Sequence, residues 1–148
     1  MPAGCSSTPL ARKLGIRPGH RLLLVGAPAD FEIPGLPGEV DLERRARGKR
    51  LAEPASGHVV VAFFRRLADL RHDAAGLSRT IVPDGSLWIA WPRRAAGHES
   101  DITDNAVRDC TLPLGLVDVK VAALGDDWSG LKTVWRRELR PALTAARA

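Results

Sequence analysis

Cys5 and Cys110 are the only thiols in the sequence, too few for a disulfide framework and without metal-ligand spacing. No apolar run approaches the roughly 20 residues that span a bilayer. The N-terminus, MPAGCSSTPL, has no apolar signal core. No membrane segment is expected, and the cytoplasm is the expected compartment. The histidines are scattered: His20, His58, His72 and His98 form no ligand pair and meet no acid in a catalytic order. No metal site is expected. Ser7, Ser78, Ser86 and Ser129 lack the strand–turn–helix setting of a nucleophile elbow. These patterns identify no catalytic residue.

What is present suits one domain. A chain of 148 residues can bury roughly 70% of its unfolded surface, and ordinary apolar content with mixed charge argues against disorder. Twenty-two basic against 17 acidic residues leave a net charge of +5. Arginine dominates lysine, and Arg, Ala and Gly are abundant, as in a GC-rich genome, so the basic balance points only weakly to nucleic acid. The segment 43–57 (ERRARGKRLAEPASG) concentrates Arg44, Arg45, Arg47, Lys49 and Arg50. It reads either as a solvated linker or frayed helix, or as a footprint for a polyanion. No aromatic residue interleaves with its arginines, so base stacking is not supported.

Along the chain, Thr8 and Pro9 followed by LARKL and Gly15 predict a short helix with a glycine stop. RLLLVGA reads as a buried strand. The prolines of 28–38 exclude a full crossover helix there, and 39–42 suits a short edge strand. HVVVAFF (58–64) predicts a central strand. Leu67, Leu70, Ala74, Leu77 and Ile81 then recur at helical spacing. Pro83-Asp84-Gly85 predicts a turn before the strand SLWIAW, which Pro92 ends. Ser100 or Asp101 would cap a helix to about Leu112, with Asp104 in its first turn, and Cys110 on that helix reads as a small apolar side chain. LVDVKVAAL, the turn GDDWSG and LKTVWRR predict a closing hairpin, with Trp128-Ser129-Gly130 in the turn. The expected organisation is a single α/β domain over 1–137 and a loosely held tail over 138–148.

The segments TPLARKLGI, GHRLLLVGAP, LWIAWPRR with SDIT, LPLGLVDVK and WSGLK together resemble the bacterial domain-of-unknown-function family 3052, which implies no established activity. At the level of architecture the order of elements is similar to the second half of S-adenosylmethionine-dependent methyltransferases. That resemblance implies a Rossmann-like, mostly parallel sheet of order 2-1-3-4-6-5, with the last strand antiparallel and helices on both faces. It also implies a cofactor turn after the first strand. Here that turn is Leu24-Val25-Gly26-Ala27-Pro28-Ala29-Asp30. Only Gly26 matches; Leu24 replaces the acid, and Pro28 removes an amide donor. Asp41 or Glu43 remains to bond a ribose. A single glycine also fails the dinucleotide fingerprint.

In open parallel sheets ligands sit beyond the carboxyl ends of the strands. The candidate crevice therefore comprises Gly26, Arg93, Arg94, Ser100, Asp101 and Trp128, with two guanidiniums beside free helix amides for a phosphate or carboxylate. The competing reading makes Ser100 and Asp101 helix caps, the arginines solvated and Trp128 a cover on the sheet end. Lys132 is expected to pair with Asp118, Asp126 or Asp127. The leading expectation is a non-catalytic binding or regulatory protein with no cofactor, its partner a protein or an anionic small molecule, with a homodimer allowed. The alternatives are a residual S-adenosylmethionine-dependent methyltransferase or small transferase, and a polyanion-binding protein using the 44–50 run.

Overall fold

The computed structural model describes residues 8–47 and 56–147. Cys5, Ser7, Lys49 and Arg50 lie outside the described residues. Six strands form one sheet: β1 (Arg21–Val25), β2 (Asp41–Arg45), β3 (Gly57–Phe63), β4 (Ile81–Pro92), β5 (Leu116–Leu124) and β6 (Trp128–Trp135). Their order is β2-β1-β3-β4-β6-β5. The first four run parallel, and β6 is antiparallel to both its neighbours. This is the expected architecture.

Side chains alternate between the two faces of each strand, so the core divides in two. Leu23, Val25, Val60, Ala62, Leu87 and Ile89 face one side. There they meet Leu70, Ala74 and Leu77 of α2 (Leu67–Ser78) and Val107 of α3 (Asp104–Thr111). Leu22, Leu24, Val59, Val61, Trp88 and Ala90 face the other side. They are covered by the short α1 (Leu10–Lys13) and by Phe31, Ile33 and Leu36 of the loop after β1. The segment expected as a loose tail carries α4 (Arg140–Arg147), whose Leu143 packs on the first cluster.

Several element boundaries differ from the sequence expectation. Helix α1 begins at Leu10 with Pro9, not Thr8, at its cap position, and Gly15 stops it at φ +78° as expected. β2 runs from Asp41 rather than Glu39, because Glu39 takes a left-handed turn at φ +63° and the Asp41 amide then bonds the His20 carbonyl at 2.9 Å. Ile81 opens β4 instead of ending α2. The Thr80 amide and hydroxyl both donate to the Leu77 carbonyl and close the helix before it. Pro83-Asp84-Gly85 is a bulge within β4: pairing with β3 jumps from Gly57 opposite Ile81 to Val59 opposite Ser86. Trp128 to Gly130 belong to β6, and the turn is Gly125 to Asp127. The cap of α3 is Thr103, whose hydroxyl accepts the Ala106 amide at 3.1 Å, not Ser100 or Asp101.

Candidate functional site

The β1–β3 border is the topological switch point: the chain leaves β1 toward β2 on one side and β3 toward β4 on the other. A cavity of about 410 Å³ opens beyond the carboxyl ends of these strands. Gly26 and Pro28 line it from β1, Phe63 to Arg66 from β3, and Asp69 from α2; Arg47 and Trp128 complete it.

Gly26 is required here. Its φ of +68° suits glycine, and a Cβ would stand 3.2 Å from the Phe63 carbonyl. Its amide donates to the Arg45 carbonyl at 2.8 Å, fixing the turn against β2. The base is aromatic: Phe63 meets Trp128 edge-to-face at 4.9 Å and Phe31 at 4.7 Å. The Arg65 guanidinium lies over the Trp128 ring, 5.1 Å from its centroid. Arg47 spans the opening to α2, donating to Asp73 Oδ2 at 3.0 Å and meeting Asp69 Oδ1 at 3.3 Å. Arg65 and Arg66 have no carboxylate partner among the described residues. The cavity thus has an aromatic floor and a cationic rim.

Of the candidate residues named from sequence, Gly26 and Trp128 line the cavity; Arg93, Arg94, Ser100 and Asp101 do not. Arg93 donates its amide to the Asp127 carbonyl at 2.8 Å, and Arg94 opens a single 3-10 turn, Arg94–Ala96. Ser100 accepts the Ile102 amide at 3.1 Å and reaches the Arg65 carbonyl at 3.4 Å. Asp101 accepts the Leu67 amide. These two residues tie the loop after β4 to the β3–α2 junction that forms one cavity wall.

His98 meets Asp127 at 2.9 Å, a pairing across 29 positions of sequence. Lys132 does not pair with Asp118, which is held by Arg108 Nε at 2.9 Å, a bond that keeps its carboxyl below the usual range. Cys110 packs half-buried against the first cluster, and burial pushes its thiol up. Sequence reasoning counted Arg47 only in the basic run of 44–50 and did not place Arg65, Arg66 or Asp69 among the crevice residues. Asp69 was legible as an acid in the first turn of α2. That Arg47 reaches the cavity had no signal, since its position depends on two carboxylates on α2, 22 and 26 residues further along the chain.

Asp41 and Glu43, the carboxylates that could bond a ribose, are engaged elsewhere. Asp41 pairs with Arg21 Nη1 at 2.9 Å, and Glu43 bonds both Arg21 and Arg45. The bond from Arg45 is the main cause that holds the Glu43 carboxyl below its ordinary value. Asp41 and Arg21 are the first residues of their strands, at the end opposite the cavity.

The geometry can be set beside solved structures. A methyltransferase from Aquifex aeolicus superposes with a TM-score of 0.53 at 15% identity, covering 84% of this chain and 86% of that one. A TehB-like methyltransferase from Corynebacterium glutamicum gives 0.55 at 11% identity, covering 90% and 91%. Magnesium protoporphyrin IX methyltransferase from Synechocystis, solved with bound S-adenosylmethionine, gives 0.57 at 10% identity, covering 86% and 74%. The chain has the methyltransferase fold. No protein-family model matches it, and no curated protein does. The methyltransferase fold implies S-adenosylmethionine, and the residues present do not fit that group in the expected way. Leu24 stands where the first strand should end in an acid, Pro28 lines the cavity, and Arg21 holds both β2 carboxylates.

Proposed function

We propose that this chain is a non-catalytic binding protein on a trimmed methyltransferase-like scaffold, and that its crevice takes an anionic small molecule. The observation that carries this is the rim: Arg65 and Arg66 line the cavity with no carboxylate partner among the described residues, and Arg21 holds the β2 carboxylates. A planar, negatively charged ligand would use both the aromatic floor and the guanidiniums. Arg93 and Arg94 act in this reading as steering charges on the adjoining loop. The order of its sequence motifs supports membership in the bacterial family 3052. No helix among the described residues is long and apolar enough to cross a membrane.

A second reading, a residual S-adenosylmethionine-dependent methyltransferase or small transferase, is favoured by the fold and by the retained Gly26 turn. Polyanion binding through the 44–50 run has less support. Arg44 bonds the carbonyl of Phe31, Arg45 bonds Glu43, and Arg47 is held by Asp69 and Asp73.

Calorimetric titration of the folded, ligand-stripped protein with S-adenosylmethionine and S-adenosylhomocysteine tests the choice. No heat with either supports the binding-protein reading. Saturable micromolar binding of either overturns it in favour of the enzyme.

A further inference from the structure

The chain has four lysines among 22 basic residues, and three of them lie on one face of the sheet, away from the crevice. Lys120 of β5 and Lys132 of β6 are direct register partners. Lys120 Nζ stands 5.7 Å from the centre of the Trp88 ring, so it lies on the face that carries Trp88 and α1. Lys132 is on the same face: a Cβ on Gly15, at the end of α1, would stand 3.7 Å from its Nζ. Lys13 reaches out from α1 to the Ala123 carbonyl of β5 at 3.2 Å. Arg17 follows the same helix.

Like charges directly opposite in an antiparallel ladder are destabilising. The Trp88 ring face offsets part of the Lys120 charge, but no carboxylate among the described residues offsets the pair. None of Lys13, Arg17, Lys120 or Lys132 makes an ion pair with a carboxylate there. Asp118, two positions before Lys120, is bonded to Arg108 of α3, which packs on the opposite face. The bulge between Asp118 and Lys120 in the β5–β6 ladder separates the two side chains in this way. Burial, then Lys120 and Arg17, lower the proton affinity of Lys132. Packing alone does not call for lysine at position 132; an uncharged β-former would fill that half-exposed sheet position without the repulsion.

We propose that Lys120, Lys132, Arg17 and Lys13 form a second binding site for a compact, multiply charged anion: the phosphoryl or pyrophosphoryl group of a small molecule. An ammonium is a point charge with three rotatable donors, and several of them can surround a phosphate from different directions. The bound anion would supply the counter-charge that the sheet face lacks. Lys120 and Lys132 lie directly opposite one another, a compact pair and not a stripe. That matches one small ligand better than a nucleic-acid backbone. None of the four residues lines the crevice, so this site stands or falls independently of the function proposed above.

The test is calorimetric and thermal titration of the full chain with inorganic pyrophosphate at constant ionic strength. The expected result is saturable binding that raises the melting temperature. The variant K120M, and separately K132M, should weaken binding by about tenfold or more, as loss of a charge-assisted hydrogen bond does. Without pyrophosphate each variant should melt at or above the parent temperature, because a like-charge contact has gone. R65Q/R66Q, which alters the crevice, should retain a saturable pyrophosphate site that K120M or K132M weakens. The proposal is overturned if the parent shows no saturable binding, if K120M binds as tightly as the parent, or if R65Q/R66Q abolishes binding. Binding of a single-stranded oligonucleotide with none of pyrophosphate would overturn it as well.

Discussion

Asp101 Oδ1 accepts the amide hydrogen of Leu67 at 2.9 Å, so a residue from the loop after β4 closes the first turn of α2. Arg66, at the local cap position of that helix, makes no side-chain cap bond. With the Ser100 hydroxyl on the Arg65 carbonyl, this bond fastens the β3–α2 junction, which lines the crevice, to a segment 34 residues away. Truncation as D101A should cost about 1 kcal/mol, the usual loss on removing a helix cap. D101N should recover most of it, since the amide oxygen still accepts. Urea unfolding of the three proteins measures the difference.

Gly26 joins a left-handed backbone to a close approach on β3. G26A adds a Cβ at φ +68° and places it 3.2 Å from a main-chain carbonyl of a central strand. The conformational part alone is about 1–2 kcal/mol, and the strand cannot move aside cheaply. The expected outcome is a clearly lowered melting temperature with the native circular-dichroism spectrum retained.

Trp88 is fully buried at the centre of the second core cluster, and its Nε1–H donates to the Leu14 carbonyl at 3.3 Å. That bond anchors the end of α1 to β4. W88A should lose about 3–5 kcal/mol, the range for deleting a large buried aromatic side chain. Proteolysis should then detect release of α1, with new cleavage near Arg12, Lys13 and Arg17.

His20 stacks on His58 at 4.8 Å, and its Nδ1 accepts the Arg17 amide at 3.1 Å. Burial, then the neighbouring His58 and Arg17, push the His20 pKa below its ordinary 6.5. The unfolded chain therefore binds this proton more readily than the native one. Stability from His20 is fully present above pH 6.5 and is lost as pH falls from there toward the lower native value. Melting temperatures measured from pH 7.5 down to about pH 5 should decline, and H20Q should reduce the part of the decline that begins near pH 6.5.

The sheet was legible in the residues because its signals are local. Continuous apolar runs such as Val59 to Phe63 and Leu87 to Trp91 mark strands buried on both faces. The spacing of Leu67, Leu70, Ala74 and Leu77 marks the helix between them. The order of these runs, with a short final hairpin, carried the resemblance to S-adenosylmethionine-dependent methyltransferases, and that resemblance implied the strand order. Ile81 shows the limit of such patterns: it keeps helical spacing with Leu77, yet the Thr80 bonds to Leu77 hand it to the sheet.

The sequence by itself determined the alternation of strands and helices, the glycine turn at Gly26 and the loss of the acidic, glycine-rich cofactor pattern, because each depends on residues close together in the chain. Only the tertiary structure decided that Asp101 caps α2, that Arg47 bridges to Asp69 and Asp73, and that Lys13, Lys120 and Lys132 share one face. The reason is physical. Hydrogen bonds, ion pairs and like-charge contacts act over a few ångströms, and folding brings these groups together from positions tens of residues apart. The bulge at Val119 shows how fine that decision is. One extra residue in β5 puts Asp118 against α3 and turns Lys120 to the opposite face, toward Trp88.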